Sequence, residues 1–462
     1  YLLNNVDKSC DDYPDIKVHI EGGTCNGCFD MRRGHTNNDW MWLKENMFQN
    51  KYLHVKGNSV MLNVYFDRVK AASNATGVMN IWDFIFDTEE HLSGSDQYKE
   101  TGQYKMMVNP YDNGTSGTNP YWSDSGHGSS HPGIYSDGLF SYDALSNVGT
   151  YGGHIWVIEH ELGHGHQAPI NMAGTTESSN NSLAQCVNLL AKDSPLFQST
   201  RSSRGYGVNG LVSRFNSGYS WIDYASFRTQ DGEDSDLWIS NHMIFQLWLY
   251  FDYLGNYTPA SGTNTGFSFM SDLYDALRSD PITKSSSSTN PGLASKDYLL
   301  IAKYAAQITQ TDLSEFFQAW GFWETTPTVS VTNDVASTNT WYMGDYGNYY
   351  LRTAASYVNS VKTAMQAYDK KGGNIMFIED RCIGSTLPTY IGYDPSFFGE
   401  TGYFGTYSEK ISKAYDFEVS GTTVTMVDGV GAVGFKIYDA SGNLVYIANT
   451  NSFTVSSAIA PA

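Results

Sequence analysis

His160-Glu161-Leu162-Gly163-His164 gathers two imidazoles and a carboxylate in one short stretch. The surrounding run, GGHIWVIEHELGHGHQ, is apolar enough to predict a buried helix. Residues four apart share a helical face, so His160 and His164 can hold one divalent ion. Glu161 lies beside them, where a carboxylate can take a proton from a water that the ion activates. This spacing predicts zinc-dependent hydrolysis of an amide. A plainer reading makes these residues two hydrogen-bonded histidines and an ion-paired glutamate in a packed helix. It requires partners for three buried polar groups, which are costly to leave unpaired.

A catalytic zinc commonly takes three protein ligands and leaves a position for water. The extended pattern HExxHxxGxxH fails, because Gln167 stands at its glycine and Ile170 at its third histidine. His166 is two residues beyond His164 and should point off the shared face. Glu177 is the next candidate. Pro169 should end the first helix, and Gly174, Thr175 and Thr176 offer a turn and cap for a second. Glu177 would then occupy the first turn of that helix, whose apolar set is Leu183, Cys186, Val187 and Leu190. Asn180 or Asn181 would be near enough to fix the orientation of Glu177. The alternative role for Glu177 is that of an acidic residue favoured at a helix N-terminus.

The elements that must position these groups are legible as a strand-bearing first half and a mainly helical stretch from 150 to about 326. A helix is expected around DWMWLKENMFQ, a strand from Asn58 to Phe66, a helix near VMNIWDFIFDTEEHL and a strand from Tyr104 to Val108. A glycine-, serine- and asparagine-rich loop follows Pro110, and its final part, His127 to Ser136, is expected to run as an exposed edge strand. Such an edge could take an extended peptide as an added strand. His127 and His131 either line that cleft or are ordinary loop histidines. NHMIFQLWLYFDYLG, LASKDYLLIAKYAAQIT and TDLSEFFQAWGFW predict three more helices, the last with a capping box from Asp312 to Glu315. A further helix is expected from Thr353 to Tyr368. Val419 to Val455 alternates like a small β module, with a hairpin at Asp439 to Asn443.

The chain has 462 residues, enough for two to four domains. Its 28 basic and 48 acidic residues give a formal charge of -20, which makes nucleic acid and anionic membranes poor partners. No apolar run is long enough to span a bilayer, and Tyr1 is not followed by a basic-then-apolar leader. The abundance of Gly, Ser, Asn, Thr and Tyr suggests export. Cysteines at 10, 25, 28, 186 and 382 make an odd set. Cys25 and Cys28 could be half a structural zinc site, a redox pair, or one of them a disulfide partner of Cys10. Cys186 reads as a buried thiol, and no cysteine is assigned a catalytic role.

GGHIWVIEHELGHGHQ, GTTESSNN, TDLSEFFQAWGF and FKIYDASGNLVYIANTNSFTV together resemble the enhancin-like, M60-like zinc metallopeptidases. The resemblance covers about residues 50 to 330 and extends to the terminal β module. It implies an α+β, zincin-like catalytic domain of the gluzincin type, with His160, His164 and Glu177 on Zn²⁺ and Glu161 as base. Gly165-His166 follows the motif where many relatives carry Asn-His, which is tolerable because neither position is a ligand. The expected layout is an N-terminal segment over 1–50 packed on the catalytic domain, that domain over 51–326, a mixed region over 327–415, and a small β-sandwich-like module over 416–462. The module could bind glycans or cover the catalytic domain.

By the same resemblance, the enzyme would be secreted or held at the cell surface and would cut mucins or other O-glycosylated proteins. Aromatic residues make up 15% of the chain and could stack on sugars, or simply fill a core. A general secreted peptidase and a noncatalytic glycan-binding protein are the rival readings. Arg204, Tyr206, Tyr219 and Tyr224 lie in connecting loops from which an oxyanion donor could come, and the sequence does not choose among them.

Overall fold

The structure is a computed structural model. It describes residues 19, 21–23, 25–98, 106–109, 128–130, 137–147, 154–171, 179–191, 194, 196–197, 243–253, 257, 268–281, 299–319, 322–323, 329–331, 349–351, 355–368, 416–427, 435–438, 444–448 and 452–454. The described residues are mostly helical, with small sheets, and most of the buried apolar side chains form one core.

The first half is built on a five-stranded mixed sheet. Its strands are β1 (Phe29–Asp30), β2 (Tyr52–Lys56), β3 (Val60–Tyr65), β4 (Met106–Asn109) and β5 (Gly128–Ser130), neighbours in that order. Only β2 and β3 pair antiparallel; the other pairs are parallel. Register places Leu53 opposite Val64 and Val55 opposite Leu62, and all four side chains are buried. Period-two alternation thus puts one apolar face of the hairpin on the core. Among the described residues β5 is the last strand of the sheet, within the stretch expected to run as an edge; His127 and His131 lie outside the described residues.

Helix α1 (Asn37–Asn46) starts with a capping box between Thr36 and Asp39 and buries Trp40 and Leu43. Helix α2 (Ala75–Leu92) runs through the core and buries residues on nearly every side. The Asn74 side chain caps it by accepting from Gly77 N at 2.9 Å. Asp83 on α2 binds the sheet: its carboxylate accepts the backbone N–H groups of Asn58, Ser59 and Val60, where β2 turns into β3. A Cβ at Gly57 would lie 2.4 Å from that carboxylate, so the turn needs glycine there.

Two helices carry the chemistry-bearing residues, α3 (His154–His166) and α4 (Asn181–Ala191), and they pack on each other and on α2. Helix α3 ends before a 3-10 turn at Ala168–Ile170 that contains Pro169, as a proline stop requires. Residues Leu183, Cys186 and Val187 of α4 are buried. The expected cap at Gly174 to Thr176 and the expected first-turn Glu177 lie outside the described residues.

Behind this pair stands a helical layer. Residues 243–248 are helical and pass into a π-helical turn at Leu249–Tyr253. Helix α5 (Phe269–Ser279) is capped by Ser268 and by Asp252, which accepts from Phe269 N and Met270 N. Helix α6 (Leu299–Thr309) packs on α5, and α7 (Ser314–Ala319) begins where Asp312 accepts from Ser314 N at 2.9 Å. Strands β6 (Val329–Val331) and β7 (Tyr349–Leu351) pair antiparallel, and α8 (Ala355–Gln366) packs on α6.

At the C-terminal end, β8 (Asp416–Ser420), β9 (Thr423–Val427) and β12 (Ser452–Thr454) form a three-stranded antiparallel sheet. Strands β10 (Phe435–Tyr438) and β11 (Leu444–Ala448) form the antiparallel pair expected around the Asp439 to Asn443 turn. Cys25 and Cys28 are free thiols, and Cys186 is fully buried.

Candidate metal centre

Helix α3 holds His160 and His164 one turn apart, with ring centroids 4.8 Å from each other and planes nearly perpendicular. Potential ligand atoms of His160, Glu161 and His164 all lie within 4.8 Å of one another. His160 and Glu161 are buried, while His164 is half-buried. The Glu161 carboxylate is 4.0 Å from His160 Nε2. Among the described residues this is the only cluster of three or more His, Cys, Asp or Glu side chains that could hold a metal ion. The donor set fits zinc: two imidazoles and a carboxylate converge, with solvent reaching the half-buried histidine.

The tight packing of α4 on α3 depends on Gly163. A Cβ at that position would lie 2.8 Å from the backbone carbonyl oxygen of Asn180. Glycine in a helix interior costs about 1 kcal/mol relative to alanine. Here it lets the backbone of α4's start touch the helix between the two histidines.

That approach delivers polar groups to both rings. Asn181 Oδ1 lies 3.1 Å from His160 Nδ1 and accepts from Trp156 Nε1 at 2.9 Å. Asn180 donates through Nδ2 to the His160 carbonyl at 3.0 Å, while its Oδ1 accepts from Asn181 N. The same Nδ2 is 3.2 Å from His164 Nε2. On the other side of His164, the Gln167 amide comes within 2.7 Å of Nδ1, and its Oε1 accepts from Ser179 Oγ at 2.6 Å.

His166 points away, as its spacing predicts. Its Nδ1 is 3.2 Å from Glu89 and its Nε2 is 3.9 Å from Glu90, both on α2, and its ring packs near Phe86. Burial drives the Glu89 carboxyl up to about 7, against the opposing pull of His166. This pair ties the far face of α3 to the core.

A family model described as peptidase M60, enhancin and enhancin-like matches residues 31–321, more than half of the chain. The chain belongs to this family. A second model, the peptidase M60 C-terminal domain, matches residues 414–462. As an M60 member the protein is a zinc metallopeptidase, and its His160, Glu161 and His164 form a group suited to hold the metal. A metallopeptidase from Bacteroides thetaiotaomicron is similar in structure, with a TM-score of 0.66 at 22% identity over 96% of this chain and 68% of that one. A metallopeptidase in complex with Tn antigen is similar with a TM-score of 0.66 at 23% identity, over 96% of this chain and 74% of that one. At such identity these likenesses establish a shared fold. No curated protein matched in sequence.

Of the expected site residues, the structure brings together His160, Glu161 and His164. Glu177, Arg204, Tyr206, Tyr219 and Tyr224 lie outside the described residues. Trp156, Gln167 and Ser179 are the polar partners that the sequence reading did not single out. Helical spacing could have found two of them, since Trp156 is one turn before His160 and Gln167 is three residues after His164. Asn181, expected near Glu177, which lies outside the described residues, reaches His160.

Proposed function

We propose that this M60 enzyme is an endopeptidase that cuts peptide bonds in mucin-type O-glycosylated proteins. His160, His164 and Glu177 would hold the zinc, and Glu161 would serve as the general base. The observation that carries the reaction class is the convergence of His160, Glu161 and His164 on the face of α3. Bound zinc supplies Lewis acidity, which makes a water easier to deprotonate and an amide carbonyl easier to attack.

Glu161 takes the proton as the water oxygen adds to the scissile carbonyl carbon. It returns that proton to the amide nitrogen and the C–N bond breaks; the second proton of the water passes from the new carboxyl to the amine, so that a carboxylate and an ammonium leave. Its burial keeps competing water away and holds it near its working position. Strand β5, the last of its sheet among the described residues, offers backbone groups for an extended peptide, which would bind with little dependence on side chains. Specificity would then come from groups flanking the cut.

Support for a glycosylated substrate comes from the similar metallopeptidase that is in complex with Tn antigen. Secretion or display at the cell surface agrees with that substrate. Among the described residues no helix is long and apolar enough to cross a membrane. The layout read from the sequence fits this role, with 51–326 catalytic and a β-sandwich-like module over 416–462 that either covers it or binds glycan. The match of the C-terminal family model to 414–462 supports the start of that module.

Digestion of mucin before and after enzymatic deglycosylation tests the substrate. Cleavage of the glycosylated form alone is expected. Equal cleavage of both forms would make this a general peptidase, and failure to cut either with zinc bound would favour a glycan-binding role.

A further inference from the structure

The indole nitrogen of Trp156 can only donate a hydrogen bond, so whatever accepts it at 2.9 Å is an oxygen. That acceptor is Asn181 Oδ1, and the same oxygen faces His160 Nδ1 at 3.1 Å. An imidazole nitrogen facing an oxygen must carry a proton to bond with it. The neutral His160 ring then keeps its lone pair on Nε2, the nitrogen on the Glu161 side. If the Asn181 amide turned over, its NH₂ would oppose two donors. His160 would then have to move its proton to Nε2, where it blocks metal binding.

We propose that Trp156 and Asn181 are positioning residues that fix the tautomer of His160. Trp156 orients the Asn181 amide, and Asn181 in turn holds the proton on His160 Nδ1. The three side chains belong to two elements that approach closely at Gly163, so the device is written across α3 and α4. The Trp156 ring also lies 4.9 Å from the His160 ring, centroid to centroid, which gives it a packing role that the test must separate from the hydrogen bond. The inference rests on the reading of His160 as a zinc ligand.

The separation uses a carboxylate. Asn181→Asp supplies two equivalent oxygens, so the side chain cannot be turned the wrong way and needs no indole to orient it. Zinc affinity is measured by chelator competition on the purified full chain, for wild type, Trp156→Phe, Asn181→Asp, Asn181→Leu and Trp156→Phe with Asn181→Asp. Thermal unfolding of each metal-free protein is measured beside it. Trp156→Phe keeps an aromatic ring and loses the N–H, and we expect zinc affinity to fall about tenfold, with Asn181→Leu losing between about ten- and a hundredfold. Asn181→Asp should bind zinc about as well as wild type, and adding Trp156→Phe to it should cost nothing further. If Trp156→Phe cost as much in combination with Asn181→Asp as it does alone, the proposal would be overturned, because the tryptophan would then act through packing. So would unchanged affinity in both Trp156→Phe and Asn181→Leu. A His160→Ala control separates the two levels: if that variant keeps zinc at wild-type affinity, the ligand reading itself fails.

Discussion

The Asn180 carbonyl oxygen occupies the space that a side chain on Gly163 would need, 2.8 Å from the position of its Cβ. The contact is with backbone on both sides, so no rotamer change relieves it. Between His160 and His164, the interhelical distance is therefore set by the smallest residue available.

Gly163→Ala should accordingly destabilise the protein despite alanine's better helix propensity. Overpacking of this kind costs about 1–3 kcal/mol, against a gain of about 1 kcal/mol from propensity. Because the start of α4 and the residue before it bring Asn181 and Asn180 to the histidines, the variant should also hold zinc less tightly. Calorimetric unfolding of the metal-free protein and chelator titration of the loaded one would check the two effects. A variant as stable as wild type, with unchanged zinc affinity, would show that the helices can move apart freely.

Glu161→Gln retains the shape of the side chain and removes its capacity to take a proton. Zinc content should remain near that of wild type, while turnover of a susceptible glycoprotein falls by roughly 10²–10⁴-fold. Metal analysis and a gel-based digestion time course on the same preparation provide the comparison. Substantial turnover would assign the proton transfer to another group.

The site was legible where its residues obey a local period. Positions 160, 161 and 164 sit on one helix, and the 3.6-residue repeat alone brings them together. Strand β3 and the helix α2 were readable for similar reasons, though strand β2 beside β3 and Asp83's three backbone hydrogen bonds to the turn between them were not. Such bonds span about two dozen residues and follow from no periodicity. Asn181 shows the same limit. Its proximity to the site followed from the short link between two helices, but its partner depended on how closely those helices approach. That approach is decided by one glycine, whose role appears only in three dimensions. His166 was correctly read as off the shared face, yet its Glu89 and Glu90 partners lie far back in the chain.

Glu177→Ala tests the ligand assignment that sequence alone supports. Loss of one of three protein ligands should lower zinc occupancy of the purified protein well below one equivalent, while Glu177→Asp should recover part of it. Occupancy equal to wild type in the alanine variant would place the third ligand elsewhere.

Asp252 gives the stability a pH dependence that lies outside the metal centre. Burial raises its carboxyl from the ordinary 3.8 to about 7, although the Phe269 and Met270 N–H groups pull the other way and nearby Asp272 adds to the rise. A folded-state pKa above the unfolded one means that the native state binds the proton more tightly. The contribution of Asp252 is therefore fully present below about pH 4 and lost as pH rises toward 7, a change on the order of a few kcal/mol. Asp252→Asn removes this titration, though it also gives up one of the two oxygens that cap α5. The expected sign is thus in the slope: the stability difference between variant and wild type should shift in the variant's favour from pH 4.5 to pH 7.5. Denaturant midpoints for both proteins at those two pH values give that difference. A gap that stays constant with pH would show that Asp252 is ionised in the folded protein throughout, with its two backbone hydrogen bonds outweighing the cost of burial.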